Sequence, residues 1–267
     1  MLKKRFVSTI VLVAVVVGAI FKEEILGLTV TLFAFLGLFE FFTMLEKKGI
    51  SIYKYFGILV GVLIPLSITF RFELTKSWEL LFIVSMLLVL IIMQLKRREN
   101  SGVITDISTT LFGILYICWF FSFLIKIRYL PGGLGLLASV IIITKFGDIG
   151  AYLIGTRFGK HPLLPRISPK KSREGAVGGL VLGVLGALLC KPWLGFGYPQ
   201  LIFAGIILSV LGQLGDLSES LIKRDCNVKD SGNFIPGIGG VLDLIDSLLF
   251  TAPAFYFYLS IISQKIG

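Results

Sequence analysis

Histidine is nearly missing from this sequence, with His161 alone among 267 residues, and charged residues make up only 16%. The cysteines Cys118, Cys190 and Cys226 show neither a CxxC pair nor a Cys/His spacing, so they read as small packing residues. No internal repeat and no low-complexity linker is visible, which makes one integral domain over residues 1–267 the economical account. The net charge of +10 is not gathered on a soluble face; the basic residues sit between apolar segments. That placement argues against a nucleic-acid partner and for orientation in a membrane. The first apolar segment follows Lys3-Lys4-Arg5 as a signal peptide would, but no small-residue cleavage site precedes Lys22-Glu23-Glu24. A retained anchor helix is expected there.

Apolar sequence is abundant. Hydrophobic residues make up 55% of the chain, 23 of them are Phe, and the mean hydropathy is +0.91. A soluble domain does not carry this composition; a polytopic membrane protein does. With about 20 apolar residues needed per spanning helix, nine candidate spans begin near Phe6, Ile25, Tyr55, Trp78, Ile104, Gly133, Ala176, Gln200 and Gly240. The expected fold is therefore all-α and polytopic, with about nine transmembrane helices. Of the 26 basic residues, 18 fall in loops on the N-terminal side and 7 on the other, with Lys145 inside a span. This bias places the N-terminus in the cytoplasm and the C-terminus outside. Residues 1–130 read mostly as anchoring helices and 131–267 as the chemistry-bearing half. In the anchoring half Glu40 stands out between Phe39 and Phe41, either as a buried partner for a basic residue or, the favoured expectation, near the cytosolic end where it reaches water.

Ionised carboxylates in a bilayer-spanning helix are costly, so by default they mark a functional site. Asp243 and Asp246 are three apart and share a helix face, while Asp216, Glu219, Ser220 and Lys223 fall at similar spacings on the preceding helix. A short connection between antiparallel neighbours would bring Asp216 level with the Asp243/Asp246 pair. The resulting oxygen-rich cavity suits Mg²⁺, with room for a second cation because close carboxylates repel until neutralised. The competing reading is a buried ion pair in which Lys223 or Arg224 neutralises the aspartates with no ligand at all. Lys229 lies in the connecting loop, and Gly239 and Gly240 there could offer backbone N–H groups to phosphate beside the last helix N-terminus.

The stretch from Gly155 to Gly175 is short, strongly basic and contains three prolines, so it is expected to be ordered. Arg157, Lys160, Lys170 and Lys171 are candidates to hold a triphosphate or a lipid phosphate, with Asp148 about two turns earlier. His161 is read as a loop residue without a catalytic role. Gly175, Gly179 and Gly183 form a small-xxx-small stripe, a signature of close helix packing.

These residues have a familiar order. Ser220-Leu221-Ile222-Lys223-Arg224, then Lys229-Asp230-Ser231-Gly232, Ile235-Pro236-Gly237, Gly239-Gly240-Val241 and Asp243 through Asp246 resemble the signature of phosphatidate cytidylyltransferases. Asp148, Gly150-Ala151-Tyr152, Gly155, Gly159-Lys160, the run Ile167–Ser172 and Glu174-Gly175 resemble an earlier block of that family. Ile238 and Leu244 depart from the signature, which has His and Arg there, and Ile149 and Arg173 depart from the earlier block. The resemblance implies a multi-pass enzyme of the inner (cytoplasmic) membrane, its active site facing the cytoplasm. It would join CTP to phosphatidic acid, releasing pyrophosphate and CDP-diacylglycerol. It further implies Mg²⁺ on Asp216, Asp243 and Asp246, and catalytic roles for Ser220, Lys223, Arg224, Lys229 and Asp230. Substrate would be held by Asp148, Lys160, Ser168, Lys170, Lys171, Gly239 and Gly240. Membrane lipids are the surrounding partners, and a homodimer is a candidate assembly. A transporter or channel, or another polyprenol or lipid phosphotransferase, are the rival readings; against the first, no paired halves are visible.

Overall fold

Each apolar run bounded by charged or glycine-containing turns folds as a helix in the computed structural model. It describes residues 2–72, 78–97, 101–235 and 239–266, with backbone alone for 2–7 and 263–266. In chain order the elements are α1 (Leu2–Phe21), α2 (Glu23–Lys47), α3 (Lys54–Thr69), α4 (Trp78–Leu95) and α5 (Val103–Gly113). A π-helical stretch, Ile114–Trp119, carries α5 on into α6 (Phe120–Arg128). Then come α7 (Gly133–Phe158), strands β1 (Pro162–Leu164) and β2 (Ser168–Ser172), α8 (Arg173–Leu189), α9 (Lys191–Leu194), α10 (Tyr198–Asp225) and α11 (Leu242–Ile266).

Six of these segments are long and apolar enough to cross a membrane: α2, α4, Val103–Arg128, α7, α10 and Leu242–Ile262. The segments expected near Phe6 and Tyr55 are shorter apolar helices, Ser8–Phe21 and Lys54–Thr69, and the one near Ala176 is the 17-residue α8. The protein is thus an all-α, multi-pass membrane protein. Large apolar side chains such as Leu80 and Leu88 on α4 and Val11 and Val15 on α1 face outward, as helices solvated by lipid require. One small departure from all-α is the antiparallel pairing of β1 with β2, in the basic stretch read as ordered. Its polar SPKKS sequence has no apolar alternation to announce a strand.

The chain forms two compact units, Met1–Ile125 with Cys226–Leu242, and Lys126–Asp225 with Asp243–Gly267. The sequence reading drew a line at residue 130 within one domain; the packing draws it at Ile125 and places Cys226–Leu242 with the first unit. In that first unit the core is aromatic: Phe42 is fully buried, and Gly57 and Gly113 leave the space its ring fills. Cys118 is buried with its thiol 3.8 Å from the Ala34 carbonyl, and all three cysteines are buried, in keeping with a packing role.

The second unit is built on glycine contacts. A Cβ on Gly175 would lie 2.8 Å from the Ala151 carbonyl of α7, and one on Gly179 2.8 Å from Gln213 Nε2 of α10. A Cβ on Gly183 would run into Ser209 Oγ of α10. The small-residue stripe of α8 therefore packs against α7 and α10 at once. On α10, Gly215 meets the Asp246 carbonyl of α11 in the same way, which sets these two helices backbone to backbone.

A methyl group has no room at such crossings, and overpacking costs about 1–3 kcal/mol. At Gly150 an added Cβ would sit 2.5 Å from the Gly178 carbonyl and 2.8 Å from Leu182 Cβ, whereas at Gly18 nothing lies within 4 Å. Gly150→Ala is expected to lower the thermal midpoint of the detergent-solubilised protein and Gly18→Ala to leave it unchanged. Equal midpoints for the two variants would show that α7 and α8 do not pack this closely.

Candidate active site

The second unit carries five carboxylates and three lysines in linked contacts, all on α7, β2, α10 and α11. On α10, Glu219 and Lys223 are one turn apart and form an ion pair. Lys223 Nζ also donates to Asp243 Oδ1 of α11 at 2.5 Å. Glu219 is fully buried and only 12% of the Lys223 side chain is exposed, so this lysine is held between two carboxylates away from water. Stripping a buried carboxylate of its counter-charge typically costs about 3–5 kcal/mol, which fixes Lys223 firmly where it lies.

A second cluster forms one turn deeper along α11. Asp148 Oδ2 of α7 accepts from Lys145 Nζ at 2.9 Å and from Ser247 Oγ at 3.1 Å. Lys145 Nζ reaches Ser247 Oγ at 3.1 Å, and the Ser247 backbone N–H donates to Asp246 Oδ1 at 2.5 Å. Asp246 is buried, and Asp216, Asp148 and Lys145 all act on it electrostatically. Asp216 in turn pairs with Lys171 of β2, Nζ to Oδ2 at 2.7 Å. Asp216 thus stands at the depth of Asp246, as the helix spacing predicted.

Beside this network lies a cavity of about 360 Å³, a volume suited to a small-molecule site. Asp148 and Asp216 form one wall, Ser168, Lys170 and Lys171 of β2 another, and Gln213 of α10 also lines it. Ala151, Gly155 and Gly175 keep the space open because they carry little or no side chain. Five of the residues proposed from sequence therefore meet in one cavity.

The others are distributed differently. Ser220 is half-buried on α10; Arg224, at the exposed end of the same helix, donates from Nε to the Ile167 carbonyl at 3.2 Å. Lys160 gives its backbone N–H to Glu174 and does not line the cavity. Lys229 and Asp230 are exposed in the segment belonging to the first unit, which also holds Gly239 and Gly240. Ile238 lies outside the described residues, and Leu244 offers its carbonyl to Lys145 Nζ at 3.5 Å. Among the described residues no three His, Cys, Asp or Glu side chains converge closely enough to enclose a metal ion. Asp216 and Asp243 are instead turned to Lys171 and Lys223.

Three participants had no role assigned from sequence. Lys145 was counted only as a basic residue within a span, although an intramembrane lysine is itself a signal. Glu219 was seen on the right helix face but given no partner. Ser247 carries no signal that sequence alone could supply. Glu40 corrects an expectation: it does not reach water but is 2% exposed and bonded to the Gly-rich segment of the first unit. Gly232 and Gly240 pack directly against it, and two backbone N–H groups and the Ser231 hydroxyl take the place of water.

Known proteins resemble this chain along most of its length. The sequence profile of the cytidylyltransferase family matches residues 3–262. A phosphatidate cytidylyltransferase of Bacillus subtilis is 35% identical, over 97% of this chain and 98% of that protein. One from Staphylococcus saprophyticus is 34% identical over 94% and 96%, and one from Synechocystis 33% over 86% of each.

The hairpin that carries Lys170 and Lys171 is tied down by a carboxylate outside the spans. Glu174 Oε1 lies 2.6 Å from His161 Nδ1, and Oε2 accepts the Lys160 and His161 backbone N–H groups at 3.1 and 3.2 Å. The His161 bond foremost, with these backbone donors, holds the carboxyl down at about 2. A lowered folded-state value means the contribution is complete above the ordinary value near 4.5 and is lost as pH falls through about 2. Glu174→Gln is expected to speed hydrogen exchange at the Lys160 and His161 amides at neutral pH. In the native chain the same loosening is expected only as the pH drops below about 4.5 toward 2. Unaltered exchange in the variant would mean the clasp does not hold the hairpin.

Proposed function

The chain belongs to the cytidylyltransferase family, and from that membership we propose that it transfers a cytidylyl group from CTP to phosphatidic acid. In this reaction a phosphatidate oxygen forms a bond to the α-phosphorus of CTP, the bond from that phosphorus to the bridging oxygen breaks, and pyrophosphate leaves. Phosphatidate is already ionised near neutral pH, so the protein's work is mostly positioning and charge neutralisation.

The observation that carries this reading is the cavity bounded by Lys170 and Lys171 on one side and Asp148 and Asp216 on the other. Lysines suit phosphate oxygens, and the carboxylates suit the cation that a nucleoside triphosphate brings. The donor set also fits a divalent ion by charge. Among the described residues Asp148, Asp216, Glu219, Asp243 and Asp246 are grouped with Lys145, Lys171 and Lys223, two more carboxylates than lysines. Asp216, Asp243 and Asp246 are the residues that would hold Mg²⁺, which takes one or two carboxylates and completes its shell with waters and substrate phosphates. Such an ion, when bound, neutralises charge that builds on the phosphate oxygens.

The chain's own groups do the rest. Lys223, fixed between Glu219 and Asp243, presents a buried positive charge to a phosphate oxygen. Lys171, paired with Asp216 at the cavity wall, and Lys170 beside it hold a second phosphate. Arg224 ties the end of α10 to the hairpin turn through Ile167 and so keeps those two lysines in place. The roles of Ser220, Lys229, Asp230, Gly239 and Gly240 rest on the resemblance of the signature alone. The lipid would enter sideways from the bilayer of the cytoplasmic membrane and CTP from the cytosol.

The test is pyrophosphate release by the purified protein. It is expected only when CTP and phosphatidic acid are both present, and Asp246→Asn is expected to abolish it while the variant stays folded in detergent. Release that needs no phosphatidic acid would overturn the reading. Near-normal turnover of Asp246→Asn with an unchanged Mg²⁺ requirement would remove Asp246 from the metal-binding set.

The same reading carries a topology of nine spans with the N-terminus in the cytoplasm, supported by the bias of basic residues to one set of loops. A C-terminal reporter that works only outside the cytoplasm is expected to be active. A reporter active only in the cytoplasm would require an even number of spans.

A further inference from the structure

Gln213 lies on α10 one turn before Asp216 and Leu217, and all three side chains line the cavity of the second unit. It carries no charge and has no part in the reaction as derived above. Its Nε2 donates to the Ala176 carbonyl, at the start of α8, at 3.1 Å. Only the amino half of an amide can donate to a carbonyl, so this bond fixes which way the side chain is turned. Gly179 leaves room for the same nitrogen, since a Cβ there would lie 2.8 Å from it. The other half of the amide, Oε1, points to a further donor. Among the described residues none reaches it, and the packing does not seal it off.

The surfaces beside the amide decide which part of a nucleotide suits it. Ala176, which anchors it, lines the cavity, as do Ala151 and Leu217. The Cβ that Gly179 lacks would lie 3.3 Å from Ala151 Cβ, so Ala151 flanks the amide as well. These surfaces are small and apolar, whereas the cations of the cavity, Lys170 and Lys171, stand on β2. A phosphate needs donors and is repelled by an amide oxygen. A planar base needs apolar faces to lie between and a polar group to read its edge. On that edge cytosine carries an exocyclic amine, an N–H donor, where uracil carries a carbonyl oxygen. A free glutamine could turn over and offer its amino group to uracil. Gln213 cannot do so without setting Oε1 against the Ala176 carbonyl.

We propose that Gln213 is a specificity-determining residue: its Oε1 accepts a hydrogen bond from the exocyclic amine of cytosine and, held by Ala176, rejects uracil. The inference rests on the function proposed above and adds to it the group that reads the base. Gln213 touches the substrate away from the reacting phosphorus and makes or breaks no bond. A site arranged to bond a substrate N–H rejects an analogue without it, because its own polar group is then left unpaired.

The experiment crosses Gln213→Met, which matches the side chain in length without its amide, with a CTP analogue that has hydrogen in place of the exocyclic amine. Both are read by phosphatidate-dependent pyrophosphate release from the full chain in detergent. For the native chain, kcat/KM is expected to be lower by about tenfold or more with the analogue, or with UTP, than with CTP. The deoxyribose form of CTP is expected to stay within about twofold of CTP, because the contact is to the base. For Gln213→Met, kcat/KM with CTP is expected to fall by the same factor as the analogue causes, with no further loss when the two are combined. Its Mg²⁺ requirement is expected to be unchanged. An analogue penalty as large in the variant as in the native chain would overturn the proposal. So would a loss seen only with the deoxyribose form, which assigns Oε1 to a sugar hydroxyl, or a changed Mg²⁺ requirement, which assigns it to the cation. Should Gln213→Met fail to assemble, the native chain is isotope-labelled at its glutamine side-chain carbonyls and followed by NMR. The Gln213 signal, assigned against variants at Gln94, Gln200 and Gln264, is expected to shift with CTP and not with the analogue. Equal shifts, or none, would overturn the proposal. If the native chain shows no turnover dependent on CTP and phosphatidic acid, the functional reading fails separately. The labelled carbonyl then still decides whether a cytosine nucleotide is held at Gln213.

Discussion

Every charged group buried in this protein has to be matched where it lies, because a bilayer offers no water to solvate it. The idealised cost of taking a carboxylate from water to an apolar medium is on the order of 20 kcal/mol, and several kcal/mol remain after relaxation. Helix packing alone does not offset that for Glu219, Asp243 and Asp246, which are shielded from water, whereas Asp148 and Asp216 stay partly exposed. The second unit meets the demand with lysines: Lys223 between Glu219 and Asp243, Lys171 on Asp216, Lys145 on Asp148. The first unit meets it differently at Glu40, with two backbone N–H groups and a hydroxyl. A lysine can later exchange its partner for another anion; backbone donors stay where the fold puts them. The first arrangement suits a site that takes up a ligand, the second a clasp.

Such matching demands that helices come close. Side chains of α7, α10 and α11 reach one another because glycine occupies the crossings: Gly150 against Gly178, Gly179 against Gly147 and Gln213, Gly215 against Asp246. Larger residues there would separate the helices and draw the lysines out of reach of the carboxylates. The glycines of this half are therefore part of the site's electrostatics, although none needs to touch a substrate to be so.

Much of this was legible in the sequence, and the exceptions have physical causes. Membrane-length apolar runs announce helices, and Asp216, Asp243 and Asp246 announce themselves because ionised groups are rare in such runs. Helical spacing correctly set Asp216 level with Asp246. It could not tell which way each carboxylate turns: the competing reading had Lys223 neutralise the aspartates, as it does at Asp243, but it did not foresee Lys171 on Asp216. Glu40 was out of reach for a different reason. Its neighbours in sequence are aromatic, and its partners lie about 200 residues away, at Ser231, Val241 and Leu242. The hairpin at Ser168–Ser172 was hidden because its strand is stabilised by pairing and by the Glu174 clasp, not by apolar alternation. The basic, proline-containing sequence showed only that the stretch is ordered.

On the proposed reading, the ion pairs also bear on how substrate and cation come together. Lys171–Asp216 and Lys223–Asp243 each join a group suited to phosphate with a group suited to a divalent ion. A phosphate that took the lysine alone would leave a carboxylate unmatched in an apolar setting, and a cation that took the carboxylate alone would strand an ammonium. At the buried Lys223–Asp243 pair either half-reaction carries the penalty of an uncompensated buried charge, about 3–5 kcal/mol for a pair broken on one side, and at the more exposed Lys171–Asp216 pair a smaller one. A nucleotide that brings its cation with it supplies both replacements in one step. The ion pairs of the resting protein thereby favour the metal–nucleotide complex over either component alone. By reciprocity, each component tightens the binding of the other.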